Sequence, residues 1–229
     1  MLEIEVLGSQ AEVEESAPNY SRHSGVLIDG KILFDLGERE YLKLDPDYIL
    51  ITHLHPDHAF FVTDRVEGID CPVYGPEKSE EVKIKILDEA IDLDGYKITP
   101  VPTHHSKLVD SQAYLLEEGD KRILYTGDVI WINKEHHDKL KGLDLVITDG
   151  SYIRKGGLVR RDKETGRLYG HNGIPDLVDL FRRFTGYIIF THFGGWFYKD
   201  IEESRKTIEE LSGEGLKVEA AHDGMKVEI

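Results

Sequence analysis

A single cysteine, Cys71, denies this 229-residue chain an internal disulfide framework and fits a reducing cytoplasm. It precedes Pro72 where a strand should start, and reads as a small core residue. No apolar run approaches the roughly 20 residues that span a bilayer, so no membrane role is expected. The opening Met1-Leu2-Glu3-Ile4-Glu5-Val6 alternates like a strand and lacks the basic and apolar regions of a signal peptide. Positive charge is scarce too: 28 Lys and Arg stand against 44 Asp and Glu, a formal net charge of −16. Such a surface repels nucleic-acid backbones at long range, so a nucleic-acid partner is expected only if a local basic patch receives it. Internal repeats, low-complexity tracts and linkers are missing, and residues 1–229 read as one domain.

What the chain does have is Thr52-His53-Leu54-His55-Pro56-Asp57-His58, directly after the apolar run Tyr48-Ile49-Leu50-Ile51. Three histidines and a carboxylate crowd together where a strand gives way to a loop. That is a poor place to bury imidazoles and a good one from which to aim them at a metal. Neutral imidazole suits zinc, iron and similar metals, and the carboxylate adds a hard oxygen ligand. His-x-His-x-Asp-His after a strand resembles the metal-binding signature of the metallo-β-lactamase superfamily. The resemblance implies further residues: an isolated Asp before the motif, then a later His, a later Asp and a final His.

Each has a candidate at the end of an expected strand. Val26-Leu27-Ile28 and Lys31-Ile32-Leu33-Phe34 flank Asp29-Gly30, a pair preferred in two-residue hairpin turns, and end in Asp35. Asp35 reads either as an ordinary turn residue or, by the resemblance, as the group that orients a metal-bound His. Lys97–Pro102 is a strand that its two prolines restrict to an edge or an irregular path, and it runs into His104-His105-Ser106. A hairpin of Gln112–Leu116 and Arg122–Tyr125 delivers Thr126-Gly127-Asp128. Leu143–Thr148 is a strand ending at Asp149-Gly150, and Tyr187–Phe190 leads into Thr191-His192. Short helices are expected over Ala59–Val66, Pro76–Glu81, Pro175–Phe184 and Asp200–Leu211, and strands over Leu2–Gly8, Cys71–Tyr74, Lys217–Ala220 and Met225–Ile229. Ser9–Ser24 reads as a surface loop and Gly150–Gly170 as a long one. The latter holds Arg154, Lys155, Arg160, Arg161, Lys163 and Arg167, and reads equally as a solvated segment or as a site that attracts an anion.

Strands and helices interleave in an α/β pattern, and the resemblance implies a four-layer αββα sandwich whose metal site lies where the strand-end loops meet. Carried over residue by residue, His53, His55 and His105 hold one ion, Asp57, His58 and His192 a second, and Asp128 bridges them. His105 is preferred to His104 because the pattern places a small hydroxyl residue, here Ser106, after the ligand. His192 is preferred to His222 for its Thr-His-Phe context. His23, His136 and His137 have no motif support and are expected to be exposed. Two divalent ions are implied, with zinc first and manganese or iron also compatible. Such a pair activates a water and stabilises attacking and leaving oxygens.

His171, in Tyr169-Gly170-His171-Asn172-Gly173, lies 21 positions before His192. Cyclic phosphodiesterases and tRNA 3′-processing endonucleases of the superfamily carry a non-ligand His in a similar place. By the resemblance, hydroxide activated at the ion pair attacks phosphorus, with Asp57 and His171 catalytic and His171 protonating the leaving group. An incidental loop His is the other reading. The expected partner is a small anionic phosphodiester. An RNase Z-like ribonuclease using the 150–170 basic loop, a thioester or lactone hydrolase, and a non-catalytic metal-dependent sensor are the competing functions.

Overall fold

Short apolar strands pair into two sheets packed face to face. The computed structural model describes residues 1–66 and 68–229. One sheet takes β1 (Glu3–Gly8), β2 (Gly25–Ile28), β3 (Ile32–Phe34), β4 (Tyr48–Leu50), β5 (Val73–Gly75) and β6 (Ile84–Ile86) in that order. The other contains β7 (Ile91–Leu93), β8 (Tyr96–His104), β9 (Gln112–Glu118), β10 (Lys121–Tyr125), β11 (Trp131–Ile132) and β12 (Leu145–Asp149). β13 (Leu158–Arg161) and β14 (Leu168–His171) form a separate hairpin, and β15 (Tyr187–Thr191) and β16 (Lys217–Ala220) rejoin the second sheet. The second sheet runs β11-β8-β9-β10-β12-β15-β16, with β7 beside β8. β17 (Met225–Glu228) returns to the first sheet as the outer neighbour of β1.

Alternation along the strands makes three apolar layers. Ile28, Ile32, Phe34 and Leu50 meet Ile98, Tyr114, Leu116, Ile123, Tyr125 and Ile147 between the sheets. The opposite-parity residues of the second sheet, such as Leu124, Val146 and Ile188, pack under α1 (Ile174–Phe181) and α2 (Ile201–Glu209). The outer face of the first sheet, with Leu27, Leu33 and Ile49, is covered by Tyr41, Phe60 and Phe61. Those covering residues lie on 3-10 turns, Arg39–Leu44 and Phe60–Val62, so this outer layer is thinner than an α-helical one. The layer order is that of the αββα sandwich. No helix among the described residues is long and apolar enough to cross a membrane.

Several local expectations are corrected. Ala59–Val66 forms only the 3-10 turn, and Pro76–Glu81 forms no helix. Ser9–Ser24 is irregular and exposed over much of its length, as expected, but it is anchored by buried Ser9, Gln10, Tyr20 and Ser24. Asp223 makes that possible: its carboxylate accepts from Ser9 N (3.0 Å), Ser9 Oγ (2.7 Å), Ser21 N (2.8 Å) and Arg22 N (3.1 Å). Buried backbone donors need such partners. The Gly150–Gly170 segment is not a structureless loop, because it carries most of the β13–β14 hairpin.

Strand direction gathers the site. β3 and β4 are parallel, so Asp35 and the His-rich loop leave the first sheet at one edge. β10, β12 and β15 are parallel, and β8 shares their direction because it is antiparallel to β9, itself antiparallel to β10. His105, Asp128, Asp149 and His192 therefore leave the second sheet together. The prolines of β8 fit this path. Thr103 N donates to Ser111 O, so the odd-numbered amides face β9 and the nitrogens of Pro100 and Pro102 face away, between the short neighbours β7 and β11.

Candidate metal centre

At the shared edge, His53 Nε2 lies 3.0 Å from His55 Nδ1, and His105 Nε2 lies 3.2 Å from the same atom. Burial lowers the pKa of His53 far below its ordinary value and that of His105 to about 4, so both rings are neutral and present lone pairs. Three imidazole nitrogens facing one another form no sensible proton arrangement. Ligands at metal–nitrogen distances of roughly 2.0–2.1 Å in a tetrahedron sit about 3.3 Å apart, close to this spacing. The His53-His55-His105 set with Asp128 is thus compatible with one ion. A second group, Asp57, His58 and His192, lies beside it.

Asp128 stands between the two. Its Oδ2 is 3.7 Å from His53 Nε2 and 3.4 Å from His105 Nε2, whereas its Oδ1 is 3.2 Å from both His58 Nε2 and His192 Nδ1. Oδ1 is buried and forms no hydrogen bond among the described residues. An orphaned buried carboxylate oxygen is costly unless a cation meets it, and this is the observation on which the residues fit a metal pair. Burial opposes protonation of His58 and His192, but Asp128 and neighbouring carboxylates override it. His58 is driven well above its ordinary pKa and His192 to about 10. Without an ion, protons supply positive charge to that half of the centre.

The surrounding hydrogen bonds aim these rings. Asp35, fully buried, accepts from His58 Nδ1 at 2.6 Å, Thr52 N at 2.7 Å and Tyr125 Oη at 2.8 Å. Its contact with His58 leaves Nε2 toward Asp128. His105 Nδ1 donates to Gly170 O at 3.0 Å. Beneath them, Phe34 stacks between Tyr114 and Tyr125, at centroid distances of 5.7 and 5.4 Å. Asp35 (φ 57°) and His192 (φ 59°) both adopt left-handed backbone that non-glycine residues rarely take. Such strain gathers where a side chain must be aimed.

His171 is half-buried at the end of β14, and its Nδ1 lies 2.7 Å from Asp149 Oδ2. Sequence reasoning missed Asp149 as a site residue, and Ser151 with it. Asp149 is buried, and its Oδ1 accepts from Ser151 N and Ser151 Oγ at 2.8 and 2.6 Å. Ser151 Oγ also lies 2.9 Å from His192 Nδ1. The available signal was position: Asp149, like Asp128, ends a buried strand that points to this edge. His171 Nε2 has no hydrogen bond among the described residues. It lines, with His55, Asp57, Asp128 and His192, a cavity of about 350 Å³. His104 turns aside to Asn133 Oδ1 at 3.0 Å, and His222 Nδ1 meets Asp223 O at 3.1 Å, so neither joins the cluster. His23, His136 and His137 are half-buried rather than exposed: His23 pairs with Glu38 at 2.8 Å and His137 meets Ile132 O at 3.0 Å.

Comparisons with known proteins place this arrangement. The family described as "Beta-lactamase superfamily domain" matches residues 37–193. The metallo-β-lactamase fold protein YhfI from Bacillus subtilis superposes with a TM-score of 0.72 at 18% identity, over 99% of this chain and 98% of that one. A diphosphatase of the PhnP family superposes with a TM-score of 0.69 at 20% identity, over 100% and 98%. A hydroxyacylglutathione hydrolase of Bdellovibrio bacteriovorus is 43% identical over 47 residues, which are 20% of this chain and only 18% of that protein. With the family match spanning more than half of the sequence and the sandwich covering all of it, the chain belongs to the metallo-β-lactamase superfamily of metal-dependent hydrolases.

Proposed function

We propose that this protein is a two-metal phosphodiesterase. His53, His55 and His105 would hold one divalent ion, Asp57, His58 and His192 the other, and Asp128 would bind both through its two oxygens. Zinc suits the nitrogen-rich set, and manganese or iron is compatible with the carboxylates. Two such ions would lower the pKa of a water, orient it and neutralise charge on the attacking and leaving oxygens. Asp128 in the bridging place is a hard ligand that suits phosphoester chemistry.

The observation that carries the reading is the Asp149–His171 pair beside the ligands. Asp149 fixes the proton of His171 on Nδ1. Burial opposes charging the ring, but Asp149 and Asp128 raise its pKa above the ordinary value. The ring can therefore carry a second proton on Nε2, at the cavity, and release it to a departing alkoxide. A phosphodiester needs that help; a thiolate leaving group does not. Trp131, where lactonases of the superfamily carry a Tyr, does not line the cavity.

His171→Ala should leave metal content unchanged and depress turnover by roughly 10²–10⁴-fold on an alkyl phosphodiester. The loss should shrink for a nitrophenyl diester, whose leaving group departs unaided. Equal losses on the two diesters remove His171 from proton transfer. A second reading has one observation in its favour: Asp128, Asp149, His171 and His192 also lie close enough to hold an ion together. Under that reading His171→Ala would lower metal content, and elemental analysis of the variant decides between them.

A further inference from the structure

The cavity over the candidate centre has a composition unusual for a site that receives an anion. Its lining includes the aromatic side chains Tyr152 and Trp196 and the exposed carboxylate of Glu12, and no Lys or Arg among the described residues. Glu12 makes no hydrogen bond or ion pair with any described side chain. Glu15 lies against another lining residue: a Cβ placed on Gly195 would meet both Glu15 carboxylate oxygens at 3.1 Å. Arg154 lies 5.8 Å over the Tyr152 ring but is not among the lining residues, and its Nε is bound to Gly157 O.

The acidic lip is built into the fold. Buried Gln10 donates through Nε2 to Val13 O at 3.2 Å and to Glu15 O at 2.6 Å, folding residues 10–15 into a tight loop. Ala11 N donates to Phe193 O, and Phe193 N to Ser9 O, fastening that loop to the chain just after His192. Trp196 Nε1 donates to Gly150 O at 3.1 Å, which holds the indole at the cavity edge.

We propose that the Ser9–Ser24 loop is the substrate-selecting wall, and that it favours phosphodiesters whose non-reacting arm bears an ammonium group. This deepens the phosphodiesterase reading and rests on it. The two ions and His171 would meet the single charge of a diester, and no Lys or Arg among the described lining residues meets a second negative charge. An ammonium at the mouth would face Glu12 through space and the Tyr152 and Trp196 rings by cation–π attraction. An arm carrying a carboxylate or a further phosphate would instead face Glu12 with like charge.

The test uses three nitrophenyl phosphodiesters that share a leaving group and differ in one arm: trimethylammonioethyl, the isosteric 3,3-dimethylbutyl, and carboxyethyl. For the metal-loaded protein, kcat/KM should fall in that order, by about tenfold from first to last at low ionic strength, and the spread should shrink with added salt. Glu12→Gln should compress the ratio between the charged arms, and Glu12→Lys should invert it. Equal kcat/KM for the three arms overturns the proposal. So does a preference for the carboxylate arm, which would transfer the selecting role to the basic β13–β14 hairpin. If none of the three is hydrolysed, the phosphodiesterase reading itself fails. Calorimetric binding of the same diesters to the loaded protein then decides the wall separately: the same order sustains it, and equal binding or none refutes it.

Discussion

Asp128 offers its two oxygens to different sets of histidines, and one of those oxygens forms no hydrogen bond among the described residues. Asp128→Ala should therefore lower the content of both ions and abolish turnover, whereas full activity with one bound ion would refute the shared-ligand assignment. Adjacent histidines give a second check. His104 is tied to Asn133 and His105 faces His55, so His104→Ala should keep the full metal content and His105→Ala should not. Elemental analysis of the two variants reads the difference. These residues were visible in the sequence because imidazoles are uncommon at strand ends and recur there in a family pattern. Asp149 was not, since one carboxylate before Gly150 and Ser151 looks like any strand terminus. Only the fold, by bringing β12 between β10 and β15, shows that it faces His171 and Ser151.

Two elements shape the surroundings of the centre without supplying proposed ligands. Gly170 sits in β14 at φ 111°, and a Cβ there would come within 1.9 Å of Leu158 O across the hairpin. Its amide donates to His105 O and its carbonyl accepts from His105 Nδ1. Gly170→Ala should cost about 3 kcal/mol in chemical denaturation and reduce metal content by releasing His105. The Asp223 clip should behave differently. Asp223→Ala removes four hydrogen bonds to the Ser9–Ser24 loop, costs about 2 kcal/mol, and leaves metal content intact while arm selectivity falls. Neither element could be read in advance. Residues 150–170 have no sustained alternation, and the pairing Leu158↔His171 depends on contacts with His105 and Val129 that lie far away in sequence. The Ser9–Ser24 loop has a polar surface composition, and its anchoring depends on a carboxylate some 200 residues later. The helix expected over Ala59–Val66 lost to tertiary demand, because Phe60 N donates to Leu36 O and Ala59 bridges Leu36 of the neighbouring segment.

Across the whole molecule, the candidate ligands come from both sheets. His53, His55, Asp57 and His58 follow β4 of one, and His105, Asp128 and His192 follow β8, β10 and β15 of the other. Ions bound here would cross-link the two halves of the sandwich at one edge, where Gln112 N also donates to Thr52 O. An ion present at a thousand times its dissociation constant adds about 4 kcal/mol to folding stability. Chelation should therefore lower the midpoint of thermal unfolding, and restored metal should raise it in proportion to the ion bound. A chelated protein that melts at the same temperature as the loaded one would count against a centre shared by the two sheets. The layer order was legible through the family resemblance carried by the metal motif rather than through strand periodicity, since β2, β3 and β12 are buried along their whole length.

The Asp223 clip also sets an order of events in synthesis. When residue 192 leaves the ribosome, every proposed ligand has been made, and the centre can begin to gather metal. The loop that carries Glu12, although among the first segments translated, can dock on Phe193 by then, but its bonds through Ser9, Ser21 and Arg22 wait until residue 223 follows it out. A released chain ending at residue 215 should thus bind ions yet admit solutes that the finished protein turns away, its entrance being the last part to be set.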